Sequence, residues 1–141
     1  MNGQTILNGG AGVVGAFIAF AFGGWHESLT FLLCAIGVDI ASGMYASVKE
    51  GRGLNSAVGS IGLAKKGLML LVILLAHRLD ILLDSDNITM TASVYFYIAN
   101  ELISITENYG RIGLPMPEKL RDVITVLKGK GGVSNDVTDG K

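Results

Sequence analysis

Four apolar stretches dominate the chain, separated by short polar breaks. They run over about 8–24, 28–48, 67–83 and 89–105. Each approaches or reaches the roughly 17–25 residues that a helix rising about 1.5 Å per residue needs to cross a bilayer. The first and third are short for a span. The third extends toward Ile61 if Lys65 and Lys66 reach for the headgroups with their charged ends. After Pro115-Met116-Pro117 the pattern changes. Leu120, Val123, Ile124 and Leu127 recur at helical spacing among Glu118, Lys119, Arg121, Asp122 and Lys128. That predicts a short amphipathic helix over about 117–128, lying on a membrane surface or packing on a neighbouring subunit. The Gly-, Ser-, Asn- and Asp-rich segment 129–141 reads as a disordered tail. The pattern therefore predicts an all-α integral membrane fold: about four transmembrane helices, three if the first stretch does not span, plus the amphipathic helix. Residues 1–128 form one helical membrane domain in this reading.

The breaks alternate in charge. Lys49, Arg52, Lys65 and Lys66 fall between the second and third stretches; Arg111, Lys119, Arg121, Lys128, Lys130 and Lys141 follow the fourth. Only Arg78, of the 11 Lys and Arg residues, lies elsewhere. The other breaks hold Trp25-His26-Glu27 and the acidic segment 84–88. Positive charge is retained on the cytoplasmic side, so both termini are expected in the cytoplasm. Lys65, Lys66, Arg111, Lys119 and Arg121 are then inner-surface anchors. The first stretch contains Ala19-Phe20-Ala21, a small-x-small pattern, but residues 1–8 carry no Lys or Arg. A signal peptide has a basic leader, so this stretch reads as a retained span.

Composition agrees. Half of the 141 residues are hydrophobic and 16% are charged, with mean hydropathy +0.49; soluble domains carry about 25% charged residues. A net charge of -1 with dispersed bases gives no case for nucleic acid. The single Cys34 forms no intrachain disulfide and reads as a packing residue. There is no Cys pair or His cluster for a metal, no phosphate-binding loop and no nucleophile elbow. Neither enzyme activity, catalytic residue, metal nor cofactor is expected.

The chemistry sits in polar residues inside the spans. Asp39 falls near the middle of the second stretch, where a carboxylate costs about 2.5–3.5 kcal/mol. It reads either as a neutral Asp bonded to a neighbouring helix or as a carboxyl that lines a pore or controls assembly. Around it, Gly37/Ala41 and Gly43/Ser47 are small-xxx-small pairs that let helices approach closely, as are Ala11/Gly15 and Ala19/Gly23 in the first stretch. In the third, His77 and Asp80 share a helix face, as do Asp80 and Asp84. They form an interfacial ion cluster or, through His77, a pH-responsive or conducting element. Arg78 reads as a partner for Asp80 or as a sign that this span is misplaced. In the fourth, Tyr97, Asn100, Glu101, Ser104 and Asn108 form one polar stripe, which belongs against a water path or subunit seam or in a buried static network.

Taken in order, these segments resemble a known family. They are Val38-Asp39-Ile40-Ala41-Ser42-Gly43, the run from Ser56 through Gly59 and Gly62 to Lys65-Lys66, and Ala76-His77-Arg78-Leu79-Asp80. Tyr97-Ile98-Ala99-Asn100-Glu101 with Ser104, Glu107 and Asn108 follows, then Gly113-Leu114-Pro115-Met116-Pro117-Glu118. The ordered set is similar to the toxin-secretion/phage-lysis holins of phages and prophages of mainly Gram-positive hosts, over about residues 28–130. The resemblance implies a protein that accumulates in the host cytoplasmic membrane, assembles with itself and permeabilises the membrane at a set time. An endolysin then reaches the peptidoglycan without any implied direct contact, and some relatives assist toxin export. The candidate pore or assembly residues are Asp39, Glu101, Asn100, Ser104, Asn108, His77 and Asp80. Two other classes remain: a small four-span proton-coupled exporter, disfavoured by the basic loop and amphipathic tail, and a soluble helical protein or membrane-embedded assembly factor.

Overall fold

The computed structural model describes residues 2–130 and is helical, with no strand among them. Its elements are α1 (Gly3–Phe22), α2 (Glu27–Lys49), α3 (Ser56–Leu83), α4 (Ile88–Ile112) and α5 (Glu118–Lys130). The first four are long and apolar enough to cross a membrane. Expected and observed limits differ most for α3, which starts at Ser56 rather than near residue 67. Asn55 explains the early start: its side chain accepts from the amides of Ala57 (3.0 Å) and Val58 (3.4 Å) and so satisfies two orphan donors. Gly59, Gly62 and Gly67 do not interrupt the helix. The expected long basic loop shrinks to Glu50–Asn55, and Lys65 and Lys66 move from loop to helix interior. Similarly α4 continues past residue 105 to Ile112, so the polar stripe is helical throughout. The helix α5 matches the expected amphipathic segment and includes Gly129 and Lys130. The remainder of the expected tail, 131–141, lies outside the described residues.

Local chemistry ends the helices. After α1, Gly23 takes φ +69 and its amide bonds Ala19 O at 2.9 Å, a left-handed cap that favours glycine. Gly113 (φ +80) closes α4, with Leu114 N on Tyr109 O at 3.0 Å, and Pro115 follows where helix cannot continue. Lys49 Nζ donates to the carbonyl of Ile112, so a cation satisfies the negative end of the α4 dipole.

The centre of the bundle is α4. Helices α2 and α3 pack on either part of it, α5 covers one end, and α1 rests on α3. Leu32, Ile73 and Val94 are fully buried at the junction, with Leu29, Ala35, Met90, Ile98, Leu102 and Ile105 around them. One end carries Lys49, Arg52, Arg111 and α5 and is called here the basic end. The other carries Glu27, Asp84 and Asp86 and is the acidic end. Large apolar side chains are exposed along the bundle, including Val13, Leu75 and Leu82. Water would penalise such a surface, and lipid suits it.

Candidate functional site

Three helices each bring one ionisable side chain to a common point. Asp39 is in the middle of α2, Lys66 in α3 and Glu101 in α4. Lys66 Nζ lies 2.9 Å from Asp39 Oδ2 and 2.5 Å from Glu101 Oε2. The side chains of Lys66, Asp39 and Glu101 are 14%, 12% and 5% exposed, so the pairing is shielded within a single chain. Two acids face one base, which leaves a formal charge of -1 when all three are ionised. Shielded ions in an apolar bundle need this kind of mutual compensation, because an unpaired charge there is strongly destabilising.

The network continues toward the basic end. Asn108 Nδ2 donates to Asp39 Oδ1 (3.0 Å), to the Asp39 carbonyl (3.2 Å) and to Ser42 Oγ (3.1 Å). Arg111 Nη1 reaches Asn108 Oδ1 at 3.1 Å. The same guanidinium holds Glu50, just past α2, with Nε on Oε1 at 3.0 Å and Nη2 on Oε2 at 2.7 Å. Arg52 adds a further ion pair to Glu50. Hydrogen bonding from Arg111 brings the Glu50 carboxyl down to about 2, with Arg52 assisting and partial desolvation opposing. A bidentate fork of this kind is the strongest ordinary ion-pair geometry.

Close helix approach makes the network reachable. A Cβ at Gly43 would stand 3.3 Å from Asn108 Nδ2, so glycine leaves room for the amide against α2. Of the expected packing residues, only Gly43 does this. Gly37 and Ala41 are exposed, with nothing within 4 Å of a Cβ at Gly37. Ser47 bonds the Gly53 carbonyl at 2.7 Å, closing the turn after α2 rather than a helix pair.

Lys66 is not an inner-surface anchor: the carboxylates of Asp39 and Glu101 draw its ammonium into the bundle. Lys65, one residue away, is exposed, as are Arg111, Lys119 and Arg121. Within the expected stripe, Glu101 and Asn108 join the network, while Asn100 and Ser104 are half-buried and outside it. Sequence reasoning missed Lys66 as the hub, Ser42 and the Glu50–Arg111 clamp. The available signal was physical: two acids within spans require a cation, and Lys66 was close enough in helix register to supply it.

His77 and Asp80 belong to a separate cluster at the acidic end, and both are buried. Asp80 accepts from Ser85 Oγ (2.7 Å), Thr89 N (3.0 Å) and Met90 N (2.7 Å). It therefore caps the start of α4, where unsatisfied amides and the helix dipole favour an anion. His77 Nδ1 stands 3.0 Å from Asn87 Oδ1 and does not pair with Asp80. Arg78 does not pair with Asp80 either. Its guanidinium lies 4.5 Å from the ring centre of Phe20, a cation–π contact that ties α1 to α3. Among the described residues no three His, Cys, Asp or Glu side chains converge to hold a metal ion.

Known proteins resemble this chain over most of its length. The model of the bacteriophage holin family matches residues 16–129. An uncharacterised protein of Halalkalibacterium halodurans is 37% identical over 131 residues, covering 89% of this chain and 96% of its own. One from Listeria monocytogenes is 38% identical over 136 residues, 96% of each chain. A protein of Bacillus phage phi105 named "Probable holin" is 35% identical over 91 residues, 64% of this chain and 67% of its own. No solved structure matches at a significant level. With four helices apolar enough to span a bilayer and a family match across most of its length, the chain is an integral membrane protein that belongs to the bacteriophage holin family.

Proposed function

We propose that this protein is a holin that accumulates in the bacterial cytoplasmic membrane as closed bundles, assembles with itself and permeabilises that membrane at a set time. An endolysin, or in some settings a toxin, then crosses. The single observation that carries the mechanism is the shielded Asp39–Lys66–Glu101 contact between three helices. In the closed bundle the acids point at Lys66 rather than at lipid, so one chain is tolerated in the membrane. Separation of α2, α3 and α4 would free polar surface that only water or another subunit can satisfy. That couples opening to assembly.

The formal charge of -1 gives the membrane potential something to act on. A potential contributes about 2.3 kcal/mol per elementary charge per 100 mV for full transfer across the membrane. Collapse of the potential removes that bias and releases the bundle. Both termini and α5 lie on the cytoplasmic side in this reading, following the basic end.

The test is induced expression in a bacterium, with dye uptake and viability followed over time. The expected result is a silent interval, then abrupt permeabilisation, brought forward by an energy poison. Continued growth with acquired drug resistance would instead mark a small exporter and overturn the proposal.

A further inference from the structure

Asp39 divides its two carboxylate oxygens between two helices. Oδ2 faces Lys66 Nζ on α3 at 2.9 Å, and Oδ1 accepts from Asn108 Nδ2 on α4 at 3.0 Å. The direction of the acid is therefore set from two sides, by a cation and by an amide. Asn108 is buried, as is Ser42, which accepts from the same amide nitrogen.

The Asn108 amide fits only one way round. Its nitrogen only donates and its oxygen only accepts. On the α2 side stand the Asp39 carbonyl, the Asp39 carboxylate and the Ser42 hydroxyl, whose own proton goes to the Asp39 carbonyl. On the other side stands Arg111 Nη1, which can only donate. Reversing the amide would set oxygen against oxygen on one side and N–H against N–H on the other.

Arg111 is in turn aimed by Glu50. The two Glu50 oxygens hold Nε and Nη2, which fixes the guanidinium plane and leaves Nη1 for Asn108. Glu50 and Arg111 are exposed at the basic end, whereas Asp39 and Glu101 are shielded within the bundle. Glu50 follows Asp39 by eleven residues, about 16 Å along α2. Groups that far apart act independently unless they share partners. Here one buried side chain, Asn108, joins them through Arg111.

We propose that Asn108 is the positioning residue of the Asp39–Lys66–Glu101 contact and couples it to the Glu50–Arg111 clamp, so that the clamp controls when the bundle opens. With the clamp closed, Arg111 orients the amide and the amide holds Asp39 toward Lys66. With the clamp broken, the amide loses the donor that orients it, and Asp39 is held from one side only. This rests on the holin reading above and deepens it by naming what regulates opening.

The test is a double-mutant cycle on the full-length chain in nanodiscs, read as the thermal unfolding midpoint. Glu50→Ala removes the clamp and Asp39→Ala removes the acid. In the parent chain the shift of the double variant should fall short of the sum of the two single shifts by more than the scatter between repeats. In an Asn108→Leu chain, which keeps similar bulk without a polar group, the shifts should add. Gly43→Ala keeps every bonded group and crowds the amide, because its Cβ stands 3.3 Å from Asn108 Nδ2. It should shrink the shortfall, and it decides the matter if Asn108→Leu does not accumulate. A residue that only fills space would lower the midpoint and leave the cycle unchanged. Additive shifts in the parent chain therefore overturn the coupling, and a shortfall undiminished in both Asn108→Leu and Gly43→Ala removes Asn108 as its carrier. In cells, Glu50→Ala should bring lysis forward about twofold in the parent chain, the lower end of couplings carried by such networks, and no further in Asn108→Leu. An equal advance in both overturns control of opening through Asn108. Additive shifts with timed lysis intact remove the coupling and leave the holin reading standing; coupled shifts without permeabilisation do the reverse.

Discussion

At the scale of single residues, Lys66 decides how the acids behave. With two carboxylates and one ammonium, neutralising an acid removes the net charge, whereas neutralising the base doubles it and leaves both acids unpaired. Asp39→Asn or Glu101→Gln leaves one acid against one base and removes the charge through which the membrane potential holds the bundle closed. Earlier lysis that an energy poison no longer brings forward is the expected outcome at equal protein levels, measured by culture turbidity after induction with immunoblotting. Unchanged timing in both variants would remove the carboxyls from the mechanism. Lys66→Gln leaves two acids without a base, and loss of one partner of a buried pair costs about 3–5 kcal/mol. Early lysis or failure to accumulate should follow in the same assay. Asp80 acts differently. Its carboxylate holds two backbone amides and a hydroxyl at the start of α4, and bonds to a charged group are worth about 1.5–3 kcal/mol each. Asp80→Ala should lower the thermal unfolding midpoint in detergent or nanodiscs without the timing signature of the acid variants.

At the scale of elements, some helix ends and crossings are fixed at positions where the residue type leaves no alternative. Gly23 is one: φ +69 strains any side chain, and a Cβ there would sit 2.7 Å from His77 Cε1. Gly23→Val should detach α1 from α3, read as increased protease cutting after α1 with α2–α4 intact. The beginning of α3 was not legible, because a cluster of Gly, Ser and Lys reads as loop until Asn55 is seen to cap it. The clamp between α2 and α4 carries a pH dependence. The Glu50 carboxyl is lowered from the usual 4.5 to about 2. A depressed acid contributes stability that is fully present above pH 4.5 and is lost as pH falls toward 2. Protease resistance of the Glu50–Asn55 turn should therefore be flat from pH 8 to about 5 and fall below that. Glu50→Gln should abolish the fall.

At the scale of the whole molecule, charge sets orientation and packing sets exposure. Bases crowd one end because they resist translocation, so the basic end should face the cytoplasm. In a Cys34→Ala background, Arg52→Cys should react with an impermeant thiol reagent only in inverted vesicles, and Ser85→Cys only in intact cells. The opposite pattern would reverse the topology. The bundle is asymmetric in burial: α4 is enclosed by its neighbours, while only Ala21 of α1 is buried. The outward face of such a bundle is available to lipid or to other copies.

The sequence alone determined the helical class, the four apolar stretches, the amphipathic helix and the family, because each depends on local composition, period or residue order. It also exposed the cost of Asp39 and Glu101, since a charge inside an apolar run is visible without coordinates. What it left open was who compensates that cost. Lys65 and Lys66 are adjacent and chemically identical, and both read as surface anchors. Only the tertiary structure turns one inward to two carboxylates and leaves the other outside, because a helix places neighbouring residues about 100° apart and α4 lies on one side of α3. The same packing moved Arg78 onto Phe20 and gave Asp80 to the start of α4. One-sided charge is thus a property of the chain, whereas which charge is shielded depends on how the helices cross.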